Sequence, residues 1–464
     1  MRKSTNRMNK YISPGRLYKP GRELSINEGC FGYILRNRKE VPMPQEETHG
    51  TYGYRWVVLA AYMVVAALTQ LMWLNYAPIT SQTQNLMGVS EFKVVLLATM
   101  FPLVYIPVSI PAGMIIDRKG YRYAVMIGAV LMAAFSFLRL ASGNYALVLI
   151  GMIGISIGQP FVLNSITKLV STWFSTDESA LATGLGTLSL FVGMIIALAV
   201  TPPLLKALGE NELGSLRWVV LIYSLAAVAG LIIFALLAKA RPPKPPKRTE
   251  HEIAGEEVTI RWSSFRSIFA LHNFRILCVI ILIGNGAFVG LMQLIEKIMQ
   301  PKGITSGTAG NIGAVIVIAG VAGCIVLPSI SDKIMRRKPF VLLAAAAAVP
   351  TILLIGGLKS TALIFVIGGL LGFFLLSALP VVLAFAEETT GAALTGMATS
   401  IMLLLGNAGG VVVTLIMEAI KGATGGESGS FFWAMLFLAV LFAAGFLVAL
   451  RLREQPPISV TGGG

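Results

Sequence analysis

The sequence predicts an all-α integral membrane protein, with twelve transmembrane helices in two pseudo-symmetric six-helix bundles, and three observations carry that prediction. Hydrophobic residues make up 55% of the chain and charged residues 13%, with a mean hydropathy of +0.77; a soluble domain carries roughly twice that charged fraction. Apolar stretches of about 20 residues, enough at 1.5 Å per residue to cross a hydrocarbon core of about 30 Å, recur twelve times between residues 56 and 450. The chain also repeats itself. Asp332-Lys333, with Arg336, Arg337 and Lys338 behind it, lies 215 residues after Asp117-Arg118, and Thr395-Gly396 lies 212 residues after Thr183-Gly184.

A net charge of +15 would suggest nucleic acid in a soluble protein, but its placement points to a bilayer instead. With both termini cytoplasmic, the cytoplasmic segments hold 29 of the 37 Lys and Arg residues and the outer segments hold 8, the bias expected of a multi-pass protein of the cell membrane. The expected partners are therefore lipid and a small organic solute, with no nucleic acid, and a monomer is expected. Cys30, Cys278 and Cys324 are isolated and form no disulfide framework or metal pattern. His49, His251 and His272 fall outside the apolar stretches, which also lack paired carboxylates and metal-ligand spacing. No Gly-x-x-x-x-Gly-Lys-Ser/Thr motif is present, so ATP is not the expected energy source. Neither enzyme chemistry, nor catalytic residues, nor a cofactor or metal is expected.

Residues 1–54 are polar, basic and without helical periodicity, and are expected to form a disordered cytoplasmic arm. Met43, shortly before the first helix, is the expected translation start; an intact mass that includes residues 1–42 in protein from the native locus would refute it. Helix 1 is predicted over 55–77, with polarity concentrated at Gln70, Trp73, Asn75 and Tyr76. Helix 2, over 93–116, contains Pro102, Pro107 and Pro111, tolerable in lipid when neighbouring helices satisfy the freed carbonyls. Helix 3, over 123–140, ends at Arg139, whose side chain is expected to snorkel to the interface. Helix 4, over 145–170, combines Gly154-x-x-x-Gly158, a close-packing pattern, with Gln159, Asn164 and Lys168. Helix 5, over 178–205, sets Gly186, Ser189, Gly193 and Ala197 on one face for packing on another helix. Helix 6 covers 217–238 and completes an N-terminal bundle over 55–238.

The segment 239–273, with Pro242, Pro243, Pro245 and Pro246, reads as a cytoplasmic linker. Beyond it a C-terminal bundle over 274–450 holds helices over 274–295, 306–330, 339–358, 362–386, 392–416 and 431–450, before a cytoplasmic tail over 451–464.

The cluster Gly113-Met-Ile-Ile-Asp117-Arg118-Lys119-Gly120-Tyr121-Arg122 stands in the turn after helix 2. Gly113 is expected to admit a neighbouring helix, Asp117 to accept from a helix N-terminus or an arginine, and Gly120 to take a positive φ. An ordinary basic loop is the bland alternative. The spacing Gly-x-x-x-Asp-Arg-x-Gly-x-Arg resembles the loop signature between helices 2 and 3 of the major facilitator superfamily. That resemblance implies a conformational gate motif at Gly113, Asp117, Arg118, Gly120 and Arg122, with Asp332 and Lys333 as its counterpart; Pro328 stands where the repeat would place the glycine.

Within that superfamily the chain is similar to the feline leukaemia virus subgroup C receptor family of choline and haem-related transporters. The similarity covers most of residues 55–330, in Arg55-Trp-Val-Val-Leu59, Trp73 followed by an amide and Tyr76, Gly158-Gln159 through Trp173-Phe174, Ala182-Thr183, Pro202-Pro203 and Gly286-Ala287-Phe288. The family pattern implies a quaternary ammonium held between a tryptophan on helix 1 and a tyrosine on helix 7, with glutamines on helices 5 and 11. Here Trp73 matches, while Val289, Phe191 and Leu403 stand at the other three places. A cation held by π faces needs its aromatic walls, so the departures point away from choline towards a different small organic solute.

The fold so implied is a secondary transporter whose bundles rock about a site on helices 1, 4, 7 and 10. The substrate-binding candidates there are Gln70, Trp73, Asn75, Tyr76, Gln159, Asn164, Asn285, Gln293 and Ser377, although each amide can equally serve as a helix-to-helix hydrogen bond. Between their ends the apolar stretches hold no Asp, Glu, Lys, Arg or His; Arg139, Lys168, Glu296, Lys297 and Glu418 fall near the boundaries. The expected mode is facilitated, downhill movement. The alternatives are a proton- or ion-coupled symporter or antiporter of the same fold and a membrane sensor that has lost transport.

Overall fold

The computed structural model describes residues 52–209, 212–244, 262–391, 394–425 and 431–454. Almost all of the expected arm, much of the expected linker and most of the tail lie outside the described residues. Twelve described helices are long and apolar enough to cross a membrane: α1 (Tyr54–Met87), α2 (Glu91–Lys119), α3 (Tyr121–Leu140), α4 (Tyr145–Trp173), α5 (Thr176–Ala207), α6 (Leu213–Leu237), α7 (His272–Gln293), α8 (Ser306–Ile334), α9 (Lys338–Gly357), α10 (Thr361–Thr390), α11 (Thr395–Thr424) and α12 (Phe432–Ala449). An even number of crossings returns residues 52 and 454 to one side, called the near face; the opposite side is the far face.

The halves are built alike. α1 packs on α5, α2 on α4 and α3 on α6; in the second half α7 packs on α11, α8 on α10 and α9 on α12. Lipid supplies no hydrophobic drive between helices, so close van der Waals contact through small residues takes its place. The small face of α5 does this against α1 within its own bundle: a Cβ built on Gly193 would lie 2.0 Å from the Ala67 carbonyl oxygen. Between the bundles α5 meets α8 and α2 meets α11, a pair of contacts related by the same pseudo-symmetry.

Proline governs several of these contacts, because a proline at position i leaves the carbonyl at i−4 without its helical donor. Pro102 frees the carbonyl of Ala98, which accepts from the Trp73 indole at 3.2 Å. Pro380 frees that of Leu376, which accepts from the Cys324 thiol at 3.2 Å. Pro202 frees that of Leu198, and this oxygen faces Gly310 across the bundle interface, 2.1 Å from where a Cβ would sit. Neighbouring helices thus supply donors to the Ala98 and Leu376 carbonyls, while the Leu198 carbonyl is packed closely against Gly310.

Three expectations are corrected. Arg139 does not snorkel: it is fully buried, its guanidinium 5.7 Å from the Tyr76 ring centroid and 3.4 Å from Asn75 Oδ1. The expected linker is partly helical, with Trp262–Ala270 forming a helix and α7 starting at His272. α11 runs past residue 416 to Thr424, because Lys421 is not lost to solvent but held by Glu91 of α2.

The Gly193 contact makes a direct expectation. Gly193→Val should lower stability by on the order of 1–3 kcal/mol through overpacking, read as a lower melting temperature in detergent. Gly214→Ala, with nothing within 4 Å of its added Cβ, should leave that temperature unchanged.

Candidate functional site

The two bundles enclose a cavity of about 390 Å³ at their interface. Helix breaks set its walls. α1 is regular from Tyr54 to Leu74, turns at Asn75 and Tyr76, and resumes at Thr80; α7 breaks at Leu294 before a short helix, Ile295–Met299. α4 breaks at Asn164, behind Pro160. Discontinuous helices of this kind bring backbone and polar side chains to a central site in carriers.

Gln70, Trp73, Gln159, Asn164 and Asn285 all line the cavity. Trp73 is anchored rather than free, since its indole N–H donates to the carbonyl that Pro102 leaves vacant. Asn164 is held at the α4 break, accepting from the Tyr105 hydroxyl at 2.7 Å and donating to Ser109 at 3.1 Å. Asn285 lies against Gly406, where a Cβ would come within 3.1 Å of its amide nitrogen.

The other expected residues stand elsewhere. The break after Leu74 ends the helical periodicity that would carry Asn75 and Tyr76 round to the cavity, and both meet Arg139 inside the N-terminal bundle instead. Gln293 is buried with its Oε1 3.0 Å from the Thr99 hydroxyl of α2, a polar tie between the bundles. Ser377 returns its hydroxyl to the Phe374 carbonyl at 2.7 Å.

Asn407 of α11, Thr187 of α5 and Tyr105 of α2 also line the cavity, and sequence reasoning missed them by confining the search to helices 1, 4, 7 and 10. Asn407 carried a signal, being an amide in a glycine-rich apolar run, Leu405-Gly406-Asn407-Ala408-Gly409. The three positions that depart from the family pattern, Val289, Phe191 and Leu403, are all in the wall. No Asp, Glu, Lys, Arg or His lines it, and among the described residues no group of three or more His, Cys, Asp and Glu can hold a metal ion.

The far face is sealed by charge. Glu91 of α2 takes Lys421 of α11 and, at 3.2 Å, Lys297. Glu296 accepts from the Ser81 hydroxyl at 2.7 Å and from its N–H at 3.3 Å, and Gln82 donates to Ser306 at 2.7 Å. On the near face Gly120 has φ +84° and no helix approaches Gly113, whose added Cβ would meet nothing within 4 Å. The expected close neighbour of Gly113 is thus absent from this conformation, in which the bundles meet in the far half. Asp117, Arg118 and Lys333 are exposed. Arg122 donates to the Ala235 carbonyl at 3.3 Å, while Asp332 is tied to Arg337, which also donates to Glu388 at 2.8 Å.

Two six-helix bundles clasping an uncharged central cavity, sealed on one face, define a secondary transporter. The chain belongs to the Major Facilitator Superfamily, whose family model matches residues 58–414. It is 26% identical over 416 residues to the choline/ethanolamine transporter FLVCR2 of Rattus norvegicus, covering 86% of this chain and 75% of that one. It is likewise 26% identical to the choline/ethanolamine transporter flvcr2a of Danio rerio, over 89% of this chain and 90% of that one. The fold matches a bacterial homologue of the human lysosomal transporter Spinster, solved inward-facing and unoccupied, with a TM-score of 0.69 at 18% identity over 86% of this chain and 98% of that one. The resemblance carried by the sequence motifs is therefore upheld at the level of both superfamily and branch.

Trp73→Ala should weaken solute affinity by on the order of 1–3 kcal/mol, the value of a lost apolar or cation–π face. The measurement is the half-saturation concentration for transport, and an unaltered value would refute a role in binding.

Proposed function

We propose that this carrier moves a small organic solute by alternating access, downhill and without a coupled ion, from the cavity between its bundles. The observation that supports this reading most is the cavity wall itself, apolar and aromatic with amides set into it and without Asp, Glu, Lys, Arg or His. A pH gradient can drive transport only through a group whose protonation differs between the states that bind solute, and no such group touches the solute here. Residues 55–238 and 274–450 act as the two moving bodies, joined through 239–273, in a monomer of the plasma membrane. The distribution of Lys and Arg supports a cytoplasmic near face.

The solute contacts are assigned to Gln70, Trp73, Gln159, Asn164 and Asn285, with Asn407 and Thr187 joining them. Asn75, Tyr76, Gln293 and Ser377 then position helices rather than touch solute. The relatives named above are transporters of choline and ethanolamine. An amide-rich wall with Val289 in place of an aromatic favours a solute that donates hydrogen bonds, such as a primary amine, over a quaternary ammonium. Labelled ethanolamine should be taken up more readily than choline by proteoliposomes; saturable choline uptake at micromolar concentration would overturn that preference.

The turn Gly113 to Arg122, with Asp332 and Lys333, is read as the near-face gate that closes when the far face opens. Open space at Gly113 and an exposed Asp117 suit a gate caught apart. Asp117→Asn should preserve folding and slow transport at equal expression, and unchanged uptake would count against the role. For coupling, the decisive experiment is uptake with and without an imposed inward proton gradient. Equal final levels are expected; accumulation that a protonophore abolishes would show coupling.

A further inference from the structure

Among the described residues, the far-face seam holds more carboxylates than ammonium groups. Three carboxylates gather there, Glu91, Glu296 and Glu418, against two ammonium groups, Lys297 and Lys421; Glu91, Glu296, Lys297 and Lys421 are each at most 5% exposed. Both ammonium groups are committed to Glu91. Lys297 spends its remaining donors on Gln84 Oε1 at 3.1 Å and Gln300 Oε1 at 3.3 Å, while Lys421 lies 5.0 Å from the Phe431 ring. Burial lifts the Glu296 carboxyl above the ordinary carboxylate range, opposed first by the Ser81 hydroxyl. Glu418 is partly exposed, but one of its carboxylate oxygens, Oε1, is buried with no hydrogen-bond partner. The groups that face it from neighbouring elements are Glu91 on α2 and Lys297 beyond α7, with Lys421 on its own helix.

A surplus carboxylate in a closed, low-dielectric seam costs far more than the same group in water, and a proton removes that cost most simply. We propose that the far-face seam is a proton-binding site, in which Glu418 carries one proton while the bundles are closed there and returns it to the same side when they part. Parting the bundles draws Glu91 on α2 away from Glu418, Lys421, Lys297 and Glu296, which all belong to the C-terminal bundle, so that both ammonium groups lose Glu91 and become available to Glu418 as water enters. The opened seam therefore holds the proton less tightly than the closed one. By linkage, acid favours the closed far face, and the ratio of open to closed conformations rises by up to about tenfold per pH unit while Glu418 titrates.

The inference rests on the alternating-access reading above but not on its coupling. A proton taken up and given back on one side does no work on the solute, so pH sets how often the far face opens and leaves the final solute level unchanged. This separates the site from a coupling carboxylate, which must meet both sides of the membrane in turn.

The test reads conformation directly and needs no solute. Spin labels go at Ala207→Cys and Ser360→Cys, exposed positions at the far ends of α5 and before α10, with Cys30, Cys278 and Cys324 replaced by serine in the full chain. Pulsed electron resonance then measures the distance between bundles from about pH 5.5 to 8.5, the range over which a one-proton transition can be followed. The short distance should dominate in acid and a longer one should grow with rising pH. Glu418→Gln should hold the short distance at every pH, Glu296→Gln should keep the pH response, and Lys421→Met should move its midpoint upward by removing a compensating charge. A distance distribution that ignores pH in the otherwise unaltered protein overturns the proposal. So does a Glu418→Gln protein that follows the same curve, or a response lost in Glu296→Gln instead. Solute accumulation driven by a proton gradient would refute downhill transport and leave the seam result standing, so the two failures are distinguishable.

Discussion

Hydrocarbon offers no hydrogen bonds, and that single constraint organises this molecule. An amide, hydroxyl or charge placed between the membrane faces gains its partners from the protein or incurs a heavy free-energy penalty for lacking them. The prolines show the rule at its most economical. Each removes a backbone donor, and the oxygens left behind at Ala98, Leu376 and Leu198 meet an indole, a thiol and a glycine of the facing helix. What looks in the sequence like damage to a helix becomes the means of fastening one helix to another. Where the cavity needs a fixed aromatic wall, the same device supplies it, since Trp73 owes its orientation to the carbonyl vacated by Pro102.

The repeat gives the molecule two ways to close with one set of parts. α5 against α8 and α2 against α11 are equivalent contacts under the pseudo-symmetry, so a rocking motion can exchange contact in one half for contact in the other without inventing a new interface. The two turns that correspond across the repeat are nevertheless in different states. Both aspartates are exposed, but Asp332 is paired with Arg337 of its own bundle, whereas no such pair holds Asp117 among the described residues. Among the described residues the polar seal lies on the far side, in groups drawn from α1, α2, α8, α11 and the short helix that follows α7.

The number of spans, their order and the division into halves were legible because hydropathy and length are local properties, readable one window at a time. The amides at Gln70, Gln159, Asn164 and Asn285 were legible for a related reason, since a polar side chain in the middle of an apolar run has to face inward. The failures differ in cause. Asn75 and Tyr76 turn away because the backbone breaks one residue earlier, a break that Pro78, four residues after Leu74, marks in the sequence but that the search for polar residues did not use. α11 was ended too soon because Glu418 read as a boundary, when the helix runs on through Lys421, whose partner Glu91 lies 330 residues away. Asn407 was missed through a choice of helices, although its apolar surroundings matched those of Asn285.

Arg139 also bears on how the chain is made. Translocation inserts helices in order, and a guanidinium at the end of α3 is acceptable to lipid only while it reaches the headgroups. Its final setting, against the Tyr76 ring and Asn75 with Met152 behind, exists only after α1 and α4 have closed round it. The buried setting of this one cation thus requires residues of α1, α3 and α4 in contact at once.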